Sequence, residues 1–298
     1  MDLFHYVLIW VCLVGLCLGS FYNVVILRSL SNESIVFPPS KCPKCGNKLY
    51  FWHNIPVLSY ILLRGKCYFC KEKISIQYPL IEITTMVLFV LVYLKFGISW
   101  TTLFMLFYVS GFLIMTVTDL KEQIVDCNIA IAICTVALLY AFLSGGVEGL
   151  VSSVLGTLAG AVVMEIVARL GYLFAGTRAM GEADTYVAGA LGAIFGIHMI
   201  GWVLFAALIA SMIFIFPMFV YRQYKSNNKL TCVLSILFIL SIVVFKALWQ
   251  NFWMLAILVI IGGWLAVSVL KGINREENRT YLPYVPALVA GALYFIFV

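Results

Sequence analysis

Runs of mostly apolar residues long enough to cross a bilayer recur along this chain, and they constrain its fold more than any other feature. A spanning helix needs about 20 such residues. Candidate runs lie at 4–27, 79–97, 101–119, 128–143, 148–174, 184–197, 199–220, 231–249, 252–270 and 283–298. Several are short or closely joined, so the chain is expected to be an all-α polytopic membrane protein with about eight to ten transmembrane helices. A water-soluble globule could not hide this much apolar surface: 64% of the residues are hydrophobic and 11% charged, whereas soluble domains carry about a quarter charged.

The basic residues orient the runs. If 4–27 enters from outside, the loops on one side hold every lysine and arginine except Lys95 and Lys246. The positive-inside rule then predicts an outside N-terminus, a cytoplasmic segment at 28–78 and a multi-pass membrane protein. This asymmetry accounts for the net charge of +6 and calls for the lipid bilayer, not nucleic acid, as partner. The first run has Asp2 and no basic flank before it, and "GSFYNVVILR" continues it to Arg28, so it reads as a retained helix and not a cleaved signal. The expected parts are a first helix (1–27), an extramembrane lobe (28–78) and a membrane domain (79–298).

Four of the nine cysteines lie in that lobe, as Cys42-x-x-Cys45 and Cys67-x-x-Cys70 with 21 residues between the pairs. This is the spacing of a four-thiolate zinc site, in which each short turn delivers two sulfurs to one tetrahedral ion. Disulfides and unliganded thiols are the other readings. A reducing cytoplasm disfavours the first, and lysines at 41, 44, 66 and 71 favour thiolates. Four sulfurs leave no open position for water, so the ion is structural, and so small a lobe would depend on it. His53, between the pairs, reads as a surface or packing residue. Cys12, Cys17, Cys127, Cys134 and Cys232 lack metal spacing and behave as small apolar groups.

Aspartate is scarce: Asp2, Asp119, Asp126 and Asp184. Asp119 ends an apolar run in "MTVTDLKEQIVDC", and Asp184 follows "AGTRAMGEAD" at the start of another. Counting spans returns both to one face of the membrane. Two carboxylates around one water share a proton, and the ionised member draws a proton from the water as it attacks a carbonyl. The plainer reading for Asp184 is a helix cap, stabilised by free amides and the macrodipole. Asp126 and Glu122 read as solvated loop residues. Glu82 and Glu165, at or inside spans, need a polar partner or an aqueous cavity.

Three stretches resemble the type IV prepilin peptidases, also called prepilin leader peptidase/N-methyltransferases. They are "GSFYNVVILR", then "CPKCGNKLYFWHNIPVLSYILLRGKCYFCKEKISIQYPLIE", then "TDLKEQIV" with "AMGEADTYVAGALGAIFG"; "LPYVPALVAGAL" is a weaker match. The resemblance implies catalytic roles for Asp119 and Asp184, and prepilin or pseudopilin precursors as substrates, cleaved behind a basic leader at the cytoplasmic boundary. It also implies N-methylation of the new terminus with S-adenosylmethionine. Asn23, Arg28 and Glu82 are candidate polar groups for that second reaction by position alone. Ala183 stands where the family usually has glycine, and Asp126 and Cys127 where it tends to have proline and an acid. Three rivals remain: a non-enzymatic assembly factor with a zinc docking lobe, a transporter with an acidic proton relay, and a metal-dependent protease using the cysteines.

Overall fold

The computed structural model describes residues 3–175, 181–225 and 283–298, apart from Asn32, Ile35 and Pro38. The runs expected at 231–249 and 252–270 lie outside the described residues. The helices are α1 (Leu3–Ser31), α2 (Leu58–Leu62), α3 (Gln77–Phe96), α4 (Trp100–Glu122), α5 (Cys127–Ala175), α6 (Glu182–Lys225) and α7 (Val285–Phe297). Among the described residues there is no strand, only two isolated bridges in the cysteine lobe. Five of the helices are long and apolar enough to cross a membrane.

α5 has 49 residues and α6 has 44, roughly 65–75 Å at 1.5 Å per residue, about twice the hydrocarbon thickness. Each is broken by a glycine. Gly146 has φ 60° and ψ −145°, and Gly196 has φ 69° and ψ 176°, backbone that only a residue without Cβ adopts cheaply. These breaks fall at or beside the junctions expected between 143 and 148 and between 197 and 199. Other boundaries move outward: α1 continues to Ser31 instead of ending at 27, and α3 begins at Gln77. Apolar run length reports the hydrocarbon, whereas the helix persists until a cap or a turn stops it.

The chain falls into two compact units, Met1–Leu150 with Leu293–Val298, and Val151–Ala292. In the first, α1 lies against α3 through Gly15-x-x-x-Gly19. A Cβ at Gly15 would sit 2.7 Å from the Met86 Cα, and one at Gly19 would sit 2.7 Å from the Glu82 Cα. Lipid is as apolar as the helices, so close backbone packing, not hydrophobic burial, holds such pairs together. The Tyr22 hydroxyl donates to Ser110 Oγ at 2.7 Å, tying α1 to α4, and Ile26, Ile81 and Ile114 fill the seam. Gly19→Val should therefore overpack this contact, at a cost of about 1–3 kcal/mol. The check is the thermal midpoint of the purified protein, which should fall by several degrees.

In the second unit the later half of α5 meets the start of α6 backbone to backbone. Gly156 packs on Gly192 and Gly196, and Gly160 on Ala188, so closely that no Cβ fits at Gly156, Gly160 or Gly192. The buried Ser153 hydroxyl donates to the Ala193 carbonyl at 2.6 Å. The contact at Ala188 lies one helical turn beyond Asp184, so it fixes the position of that carboxylate.

Candidate active site and metal centre

The lobe is built from two copies of one short turn. In "KCPKCGNK" the Gly46 N–H donates to the Cys42 carbonyl at 2.9 Å and the Cys42 N–H to the Asn47 carbonyl at 2.9 Å. In "KCYFCKEK" the Lys71 N–H donates to the Cys67 carbonyl at 3.0 Å and the Cys67 N–H to the Glu72 carbonyl at 2.8 Å. Each turn closes with a residue at positive φ, Gly46 at 71° and Lys71 at 60°, and an isolated bridge, Lys41 to Lys48 or Lys66 to Lys73.

These turns bring the sulfurs of Cys42, Cys45, Cys67 and Cys70 within 4.8 Å of one another. Cys42 and Cys70 are 3.9 Å apart. Tetrahedral zinc with Zn–S bonds of about 2.3 Å requires sulfurs about 3.8 Å apart, so the four thiols fit that ion. All four are free thiols. The backbone N–H of Cys70 holds the Cys67 thiol down to about 7 despite its burial. Cys70 is pushed up to about 11: the Glu72 amide favours its thiolate, but desolvation and the sulfurs of Cys67, Cys45 and Cys42 prevail. Crowded sulfurs cannot all shed their protons unless a cation among them offsets the charge. His53 is not in the cluster; it is buried in an aromatic group with Tyr50, Trp52, Tyr68 and Phe69.

Asp119 is buried in the last turn of α4. Gln123 closes that helix in the left-handed conformation, donating its N–H to the Asp119 carbonyl at 3.0 Å. Asp184 is buried in the first turn of α6, where its Oδ2 accepts the Gly181 N–H at 3.0 Å. It does cap its helix, as the plainer reading held, but a carboxylate has about four acceptor sites, so capping and catalysis are compatible. Ala183 is helical and not at positive φ, so its methyl group is accommodated. Asp119 belongs to the first unit and Asp184 to the second.

The remaining acids also resolve. Asp126 caps α5, its Oδ1 accepting the Asn128 N–H at 2.9 Å and its Nδ2–H at 2.8 Å. Glu165 pairs with Arg169 one turn on, at 3.0 Å. Tyr284, ahead of α7, lies within electrostatic reach of Asp184, a neighbour that no local motif announces.

Glu82 reaches from α3 into the lobe, where it is buried and accepts the Val57 N–H at 2.7 Å. Val57 has φ 60° and ψ −48°, a rarely populated region for a β-branched residue, and this bond helps hold it there. Of the three residues picked by position, Asn23 is structural, donating to the Tyr78 carbonyl at 3.1 Å and the Gly19 carbonyl at 3.2 Å. Arg28 donates to the Ser34 carbonyl at 2.8 Å. Glu82 and Arg28 both line a cavity of about 700 Å³ between the lobe and the ends of α1 and α3.

Residues 13–96 match the family described as the bacterial peptidase A24 N-terminal domain, and residues 106–218 the type IV leader peptidase family. The prepilin leader peptidase/N-methyltransferase of Neisseria gonorrhoeae is 34% identical over 267 residues, covering 81% of this chain and 92% of that protein. Its namesake in Myxococcus xanthus is 32% identical over 201 residues, 67% of this chain and 60% of that protein. The one in Vibrio cholerae is 31% identical over 215 residues, 69% and 84% respectively. No solved structure matches the chain significantly. With buried aspartates at two span ends inside the second matched region, and the four-thiol lobe inside the first, the chain belongs to the type IV leader peptidase family.

Proposed function

We propose that this protein is a membrane aspartic endopeptidase that removes the basic leader of type IV prepilin-like precursors at the cytoplasmic boundary and then N-methylates the new terminus. The observation that carries the reading is the pair of buried aspartates, each in the terminal turn of a long apolar helix, in a chain of this family.

Span alternation supports their meeting. With an outside N-terminus and one crossing for each of the runs 79–97, 101–119, 128–143 and 148–174, the lobe, Asp119 and Asp184 all return to the cytoplasmic side, where the basic loops lie. Negative charge is favoured at a helix start and disfavoured at a helix end. Asp184 is therefore assigned as the base that takes a proton from the attacking water, and Asp119 as the partner that carries the shared proton and delivers it to the departing amine. A precursor helix would lie along the spans 79–298 with its leader in the cytoplasm. Zinc in the lobe (28–78) is structural. S-adenosylmethionine, when bound, supplies a methyl group on a sulfonium sulfur, which the neutral N-terminal amine accepts before losing a proton.

Incubating the purified protein with a prepilin peptide, with and without S-adenosylmethionine, and weighing the products tests both activities. The expected result is loss of the leader in each case and one added methyl group only with the methyl donor. An intact peptide after prolonged incubation with zinc-replete protein overturns the peptidase reading.

A further inference from the structure

One apolar face of the four-cysteine lobe is left uncovered among the described residues. α2 carries Leu58, Ile61 and Leu62 at i, i+3 and i+4, which is one side of a helix, and all three are exposed. Ser59, Tyr60 and Leu63 line the cavity instead, so the apolar side points away from the interior of the lobe. The turn at Phe51–Asn54 packs against α2, and there Phe51 is 83% and Trp52 60% exposed. Tyr50 stacks on the Trp52 ring with centroids 5.1 Å apart, which fixes the indole in the exposed position.

The level of this face along the spans decides what covers it. The Val57 N–H, just ahead of α2, donates to Glu82 at 2.7 Å. Glu82 lies five residues beyond Gln77, the first of α3, about 7.5 Å along the axis at 1.5 Å per residue. α2 therefore starts beside the first two turns of a spanning helix and does not stand off above it. At the same level Ile76 and Leu80 are exposed, and they open a stripe that continues through Ile83, Val87, Leu91 and Leu94, the spacing of a lipid-facing side. The lobe is also strongly basic: residues 41–75 hold seven lysines and arginines and one acid, Glu72. The Lys71 Nζ lies 5.3 Å from the centroid of the exposed Tyr68 ring. Aromatic and basic groups level with the end of a span match an anionic lipid surface, where Trp and Tyr sit among the headgroups and each Lys or Arg contributes about 1 kcal/mol. The basic leader of a prepilin-like precursor would be repelled from the same groups. We propose that the Leu58, Ile61 and Leu62 face and the Phe51–Trp52 turn dock into the bilayer surface around α1 and α3, with the basic residues of the lobe on anionic headgroups. Docking holds the lobe at the level where, on the peptidase reading above, the precursor is cut.

The test uses the full-length, zinc-loaded protein in vesicles of phosphatidylcholine, alone or mixed equally with phosphatidylglycerol, with and without bromine near the headgroup end of the acyl chains. Subtracting the emission of Trp52→Phe from that of the parent isolates the fluorescence of Trp52. An indole inserted at the boundary of headgroups and acyl chains should lose at least about half of that fluorescence to bromine, and lose more where the anionic lipid is present. Trp52 emission that bromine leaves unchanged in both vesicles, and that acrylamide in the water removes, overturns the proposal. Equal loss in the two vesicles overturns the assignment of the basic residues to headgroup charge. Shielding of Trp52 that appears only when a prepilin peptide is added also overturns docking, and gives the face to the substrate. Where Trp52→Phe loses zinc, the parent decides through a phosphatidylglycerol with a photoreactive acyl chain: adducts within residues 50–62 support docking, and adducts confined to the spanning helices overturn it. None of these readouts needs turnover, so their failure leaves the peptidase reading standing.

Discussion

Asp119→Asn and Asp184→Asn are each expected to lower prepilin cleavage by at least about 10³-fold, with the double variant little worse than either single one. An amide cannot exchange the proton that the pair shares, so losing one member disables the other. The substitution separates chemistry from folding. Asparagine is nearly isosteric, and its side-chain oxygen can still accept the Gly181 N–H that Asp184 now takes at 3.0 Å, so the cap of α6 survives. What is lost in stability is the favourable charge at a helix start, about 0.3–1 kcal/mol. Steady-state cleavage of a prepilin peptide supplies the rate, and methylation of a peptide that already begins at the mature residue should persist in both variants. Full cleavage by either variant would favour the assembly-factor reading, in which the aspartates only cap helices.

Removing zinc should have the second large effect, and a slower one. Apparent binding energies of structural zinc sites are about 10–16 kcal/mol, comparable with the whole stability of a domain, about 5–15 kcal/mol. The lobe has few other resources: between residues 41 and 75 the helical pieces are a turn at Phe51–Asn54 and α2, five residues long. Phe51, Trp52, Ile61 and Leu62 are exposed and add little core. Chelation, or Cys42→Ser, is therefore expected to unfold residues 41–75 while the membrane helices persist. Limited proteolysis should show new cuts in the lobe with little change in far-ultraviolet circular dichroism. Cleavage activity should decay in step with those cuts. Immediate loss on adding chelator, ahead of any unfolding, would instead indicate a metal that takes part in hydrolysis.

The departures from the family pattern show how local structure absorbs change. Ala183 replaces a glycine, yet the residue is helical, so no left-handed backbone is demanded of it. Where the family tends to have a proline, Asp126 caps α5 through Asn128, and Cys127 opens that helix. The lobe shows the opposite case. Lys71 takes the left-handed position that Gly46 fills in the sister turn, a strain tolerated because two sulfurs per turn must converge on one point.

The sequence by itself determined the membrane class, the helical breaks near 146 and 196, and the four sulfurs of the lobe. Each is written in local chemistry: apolar run length, glycine at a junction, cysteine spacing within a turn. Asp119 and Asp184 were legible as anomalies, since a carboxylate at a span edge is costly wherever it packs. Only the tertiary structure decided that Glu82 anchors Val57 across the lobe, leaving Leu58, Ile61 and Leu62 outermost beside α3, and that Gly15 and Gly19 let α1 touch α3. Those facts depend on contacts between residues far apart in the chain, and pairing over such distances is set by the packing of whole helices, which no local pattern encodes.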